Sequence, residues 1–145
     1  MAANKAATVS PVDSTSYPHN IVFHHKEQAE QALAAVQDRD VSLRLFTAPG
    51  VAERCGPKYL EHLARRVRQN HPKVDAHFII DCGKDLPTAL RALAAGWTDM
   101  VFDQRGKAAR QVADLVKAAG GTLYQRPRTA YRFNAHDTLL KIDAN

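Results

Sequence analysis

Along residues 76–103 the apolar positions change their period twice. Ala76-His77-Phe78-Ile79-Ile80 is apolar with one interruption, the pattern of a strand covered on both faces. Asp81-Cys82-Gly83-Lys84 breaks that run. Pro87 then falls near the first turn of a helix, where its missing N–H costs nothing, and Gly96 falls where a helix stops. Leu86, Leu90, Leu93 and Ala94 give this helix one apolar stripe. Met100-Val101-Phe102 opens the next strand and Asp103 ends it. A strand–helix–strand unit of this kind is a parallel crossover, which brings Asp81 and Asp103 together at the carboxyl edge of a sheet.

The same alternation runs through the rest of the chain. Strands are expected near 20–23, 41–48, 76–81, 99–103 and 122–126. Between them, Ala29, Ala32, Leu33 and Val36 recur at helical spacing, as do Leu60, Leu63, Ala64 and Val67. A last helix over 107–119 shows Val112, Leu115, Val116 and Ala119 and is stopped by Gly120-Gly121. The expected class is α/β, with a five-stranded parallel sheet of repeated βα units, half-TIM-barrel-like or flavodoxin-like; periodicity fits both. Residues 1–19 are small, polar and proline-punctuated and are expected to form a loosely attached or disordered arm. Residues 20–145 make one domain. Tyr131, Phe133, Leu139, Leu140 and Ile142 give the tail apolar surface, but the pattern assigns it no place.

Composition narrows the setting. With 145 residues, 45% of them hydrophobic, the chain can bury a core as one domain. No apolar run approaches membrane-spanning length, and the first residues lack the apolar segment of a secretory signal. Cys55 and Cys82 do not make a disulfide framework, so a cytoplasmic location is expected. The formal charge of +5 favours an anionic ligand or partner. Arg65, Arg66, Arg68 and Lys73 make one basic face, and Arg126, Arg128 and Arg132 suggest another. Neither comes with a recognition helix or an aromatic RNA-binding motif, so both read as solvated charge, and neither nucleic acid nor membrane is expected as a partner.

Candidate chemistry gathers at the carboxyl edge. Asp81 and Asp103 end adjacent strands and could form an acid–base pair, or simply cap the turns that follow. His24 and His25 follow the first strand. Lys84, Arg105 and Lys107 lie at or before helix N-termini, where backbone N–H groups favour anions. Cys82 reads as a small buried cysteine, since loose histidines around it lack metal-ligand spacing. Trp97 reads as a core aromatic. No Gly-rich phosphate loop, metal set or cofactor signature is present.

The stretch from Leu43 to Asp103 resembles the N-terminal half of the class II, metal-dependent fructose-bisphosphate aldolases. The matching pieces are Gly56-Pro57-Lys58-Tyr59-Leu60, His71-Pro72, Ile80-Asp81-Cys82-Gly83 and Ala95-Gly96-Trp97-Thr98-Asp99-Met100-Val101-Phe102-Asp103. Gln28 to Leu33 is similar to the family's first helix, so the likeness covers roughly residues 20–125. The resemblance implies a half-barrel with Asp81 in the position of a proton-transferring aspartate. It also exposes departures: Cys82 stands where the family has a zinc-binding histidine. Tyr124-Gln125-Arg126 lacks the family's metal-binding glutamates, and the strands of the second half have no counterpart. The expected function is therefore a degenerate aldolase-like module for binding, regulation or assembly, without metal or cofactor. An anionic small molecule would sit by His24, Lys84, Arg105 and Lys107. Open strand edges predict a homodimer. The alternative is a small lyase or isomerase acting on a phosphorylated or carboxylated sugar-like substrate through Asp81. A receiver domain is excluded because Phe23 is followed by His24-His25 rather than paired acids.

Overall fold

The computed structural model describes residues 19–128, 130–133 and 139–141. The arm expected over residues 1–19 lies outside them, apart from His19. The β-branched and aromatic runs form β1 (His19–Phe23), β2 (Ser42–Thr47), β3 (Asp75–Asp81), β4 (Asp99–Val101) and β5 (Thr122–Tyr124). The helical-period stretches form α1 (Lys26–Val36), α3 (Pro57–Asn70), α4 (Leu86–Ala94) and α5 (Lys107–Ala118). A short α2 (Val51–Cys55), which the pattern did not announce, follows Gly50. Two further strands occupy the tail, β6 (Tyr131–Phe133) and β7 (Leu139–Lys141).

The strands lie in the order β5-β4-β3-β2-β1-β6-β7. β1 to β5 pair in parallel with their sequence neighbours. β6 pairs in parallel with β1, and β7 runs antiparallel to β6. A flavodoxin sheet reverses after its first crossover, giving 2-1-3-4-5. Here each crossover steps in the same direction, so right-handed connections put every helix on one face, as in an arc of a barrel. The core agrees: buried residues of all five helices join Ile21, Phe23, Leu43, Leu45, Phe78, Ile80 and Met100 in one cluster. The alternate residues Phe46, Ile79 and Val101, with Val22 and Tyr124, make a smaller cluster on the opposite face. The rings of Phe46 and Tyr124 meet edge-on there.

The helix faces differ from expectation at two places. Leu60, Leu63, Ala64 and Val67 of α3 are all buried. In α4, however, the buried residues are Thr88, Ala89 and Ala92, and Leu90 is 37% exposed. In α5, Val112 and Val116 are buried while Leu115 is 42% exposed. Small residues let α4 lie close to the sheet, with Leu86 and Leu93 packed along its flanks. The turn from α5 into β5 is equally close. A Cβ on Gly121 would stand 1.6 Å from the Thr98 carbonyl oxygen, so only glycine fits. Trp97 is buried, and its indole N–H donates to the Pro57 carbonyl at 2.9 Å.

After β5 the chain must cross to the far side of the parallel sheet to reach β6. In register, Tyr124 sits level with Val101 and Asp81, whereas Tyr131 sits level with Ile21, Leu45 and Phe78. On a flat sheet that is five strand spacings, about 24 Å, together with a drop of about 10 Å. The seven steps from Tyr124 to Tyr131 reach about 25 Å at full stretch. A flat sheet could not be spanned, so the sheet must curl, in keeping with the contact of Tyr124 on β5 with Phe46 on β2. The homodimer was expected from open edges, yet β6 already covers the outer side of β1. Ile142, part of the expected apolar tail, lies outside the described residues. Among the described residues, no helix is long and apolar enough to cross a membrane.

Candidate functional site

Asp81 closes β3 with its backbone N–H donated to the Thr47 hydroxyl of β2 at 2.9 Å. Gly83, at φ 57°, turns the chain so that its N–H folds back onto Asp81 Oδ1 at 2.9 Å. Beyond the assigned end of β4 the ladder continues through Cys82 N–H to Val101 O and Asp103 N–H to Gly83 O. Asp103 is thereby held beside Asp81, as the crossover predicted.

A third residue occupies the space between the carboxylates. Arg126, two residues past β5, donates from Nε to Asp81 Oδ2 at 2.6 Å and from Nη2 to Asp81 Oδ1 at 2.8 Å. The same Nη2 donates to Asp103 Oδ2 at 2.6 Å. The Asp81 side chain is 1% exposed, that of Asp103 32% and that of Arg126 38%. Hydrogen bonds to Asp81 push the Arg126 guanidinium above its already high pKa, against partial burial, with Asp103 adding to the effect. A planar fork on a buried carboxylate is the strongest ion-pair geometry available to side chains.

Pattern reading placed Arg126 in a surface basic patch and missed this role. Its partners lie 45 and 23 residues away in sequence. The usable signal was that two strand-ending aspartates at one edge need a nearby cation, and Arg126 follows the strand beside them.

His24 is exposed on the rim of a cavity of about 210 Å³ between the ends of β1 and β2, beside Asp81. Lys84, Arg105 and Lys107 are also exposed and do not line that cavity. They lie on the loops after β3 and β4 and at the first residue of α5. Gln104 ties those loops together by donating to the Lys84 carbonyl at 2.7 Å. The N-terminus of α4 is already capped by Asp85, whose carboxylate accepts from Thr88 N–H at 3.0 Å. The N-terminus of α5, capped by Gly106, has no side-chain cap.

No protein-family model and no curated protein matches this chain. Cys82 is fully buried, and burial, followed by the charges of Asp81, Asp85 and Glu53, pushes its thiol up to about 12. It stays protonated at neutral pH and is neither nucleophile nor ready ligand. Among the described residues no three His, Cys, Asp or Glu side chains are grouped to hold a metal. A separate polar cluster ties α1 to the end of α3: Glu30 accepts from Asn70 at 2.9 Å and lies 2.6 Å from His71 Nε2. Burial pushes the Glu30 carboxyl up, but these hydrogen bonds and the charges of His71 and Lys26 outweigh it and hold it below its ordinary value.

Proposed function

We propose that this chain is a non-catalytic binding module on an aldolase-like half-barrel, taking a small anionic or phosphorylated molecule at the loops after β3 and β4. The carrying observation is the Arg126 fork on Asp81. A proton-transferring carboxylate has to reach a substrate and exchange a proton with it. Asp81 is instead sealed from solvent, with both oxygens engaged by a guanidinium and one also by a backbone N–H. Neutralised in this way, it braces the carboxyl edge. The exposed cations Lys84, Arg105 and Lys107, with the N–H groups opening α5, supply the attraction for an anion. The lyase or isomerase alternative would require Arg126 to withdraw before Asp81 could act.

Calorimetric titration of the full chain with inorganic phosphate and with sugar phosphates tests this reading. Binding in the millimolar range or tighter is expected, weakened at least tenfold in the Lys84→Ala/Arg105→Ala double variant. Fructose 1,6-bisphosphate should not be cleaved. Saturable turnover lost in Asp81→Asn, or phosphate binding indifferent to the double variant, would overturn it.

A further inference from the structure

β6 covers the outer side of β1, but β5 ends the sheet at the other margin, and among the described residues no strand pairs with its outer edge. We propose that this edge pairs with the same edge of a second copy of the chain, across a two-fold axis perpendicular to the sheet beside Leu123. The backbone fixes the register. Thr122 N–H donates to the Thr98 carbonyl at 3.2 Å, so Thr122 and Tyr124 turn their peptide groups towards β4. Alternation then points the N–H and C=O of Leu123 outwards. In an antiparallel pair centred there, each Leu123 donates its N–H to the C=O of its own copy. Thr122-Leu123-Tyr124 carries neither proline nor charge, the usual guards of an exposed edge.

The side chains above this edge suit the same partner. Leu123 is level with Met100 and points to the helix-bearing face, where it is 37% exposed beside the exposed Leu115 of α5. At 100° per residue, Val112 and Val116 of α5 face the sheet, and half-buried Ala109 and Ala113 fall on the flank towards α4. The opposite flank carries Gln111, Leu115 and Ala118, all exposed and none charged. Lys107, Arg110, Asp114 and Lys117 point away from it. Charge then selects the occupant. Copies of a chain with formal charge +5 repel one another over most of their surface. This flank meets its own image without bringing like charges together, and it offers a charged partner nothing to recognise. Leu115 and Leu123 of each copy close one apolar seam. A three-residue strand and one helix flank make a small interface, so the dimer is weak and reversible.

Sedimentation equilibrium of the full chain over a dilution series tests the association, and a cysteine placed at the axis tests the geometry. The mass should rise from 16.0 kDa towards twice that value, with a dissociation constant in the micromolar range. Leu123→Lys, which charges the edge, and Leu115→Glu, which charges the flank, should each weaken association at least tenfold. Both side chains are exposed, so the melting temperature of the dilute monomer should not change. If Leu123→Lys does not fold, Leu115→Glu carries this arm alone. For the geometry, Leu123→Cys is made together with Cys55→Ser, which removes the exposed native thiol. Its Cα stands about 5.5 Å from its copy, within disulfide range. Position 122 stands about 7–8 Å from its copy, diagonally across the pair and beyond that range. Air oxidation should therefore join Leu123→Cys into dimers and leave Thr122→Cys, in the same background, largely monomeric. A monomer at millimolar concentration, undiminished association in either charged variant, or equal cross-linking of the two cysteine variants would each overturn the proposal. The first result would hand the edge to another occupant, such as residues 1–18 or a different protein.

Discussion

At the scale of single residues, Arg126 decides what the carboxyl edge can be. Removing one partner of a fully buried pair leaves a bare charge and costs about 3–5 kcal/mol. Arg126 is 38% exposed, so water can reach part of the gap it would leave. Arg126→Ala is therefore expected to lose about 2–3 kcal/mol in urea unfolding, a discount on the buried-pair cost. Arg126→Lys should recover less than half of that loss, because an ammonium cannot fork across Asp81 and reach Asp103. Equal stability of Arg126→Ala and the parent would mean that the cluster is ornamental. The two aspartates were legible in the sequence because each terminates an apolar run. Their cation was not, because local pattern carries no information about which distant arginine reaches them.

At the scale of elements, legibility followed how many large apolar residues defined each face. Four residues in register fixed α3 without ambiguity. In α4 the leucines Leu86, Leu90 and Leu93 outweighed the smaller Thr88, Ala89 and Ala92 in the pattern, yet the small residues are those against the sheet. Transfer energy favours burying leucine, but a helix held close to its neighbours can admit only small side chains on its inner face. Glutamate scanning separates the two assignments. Leu90→Glu should change stability by less than about 0.5 kcal/mol, as an exposed substitution. Ala92→Glu should cost more than about 3 kcal/mol by forcing an unpaired carboxylate into the core. The reverse ranking in denaturant titrations would restore the leucine stripe as the buried face.

At the scale of the whole molecule, the parallel α/β class was legible from the alternation of elements, whereas strand order was not. Periodicity is blind to whether a crossover steps left or right, so the arc emerges only from the pairings. The placement of β6 against β1 was equally hidden, since three-residue strands leave almost no periodic signal. The short connection between β5 and β6 makes a testable demand on chain length. Deleting Arg128 removes about 3.4 Å of reach. It should destabilise the fold, because it shifts the register between the Arg126 fork and the β1–β6 pairing by one residue. Two glycines inserted beside Arg128 should cost less than about 1 kcal/mol, since loop entropy grows slowly with length. Thermal melts of the two variants check this, and equal tolerance of deletion and insertion would refute that demand.

The late position of β6 also sets a timetable for the nascent chain. The βα units can add one after another as they leave the ribosome, each pairing with the strand just made. Ile21 must wait for Tyr131, however, and Asp81 must wait for Arg126. Until those residues are synthesised, the outer margin of β1 stays open and a carboxylate destined for burial stays wet. A chain whose synthesis is interrupted after β5 thus carries both a sticky strand and an unpaired charge, the features by which quality-control proteases and chaperones recognise unfinished proteins.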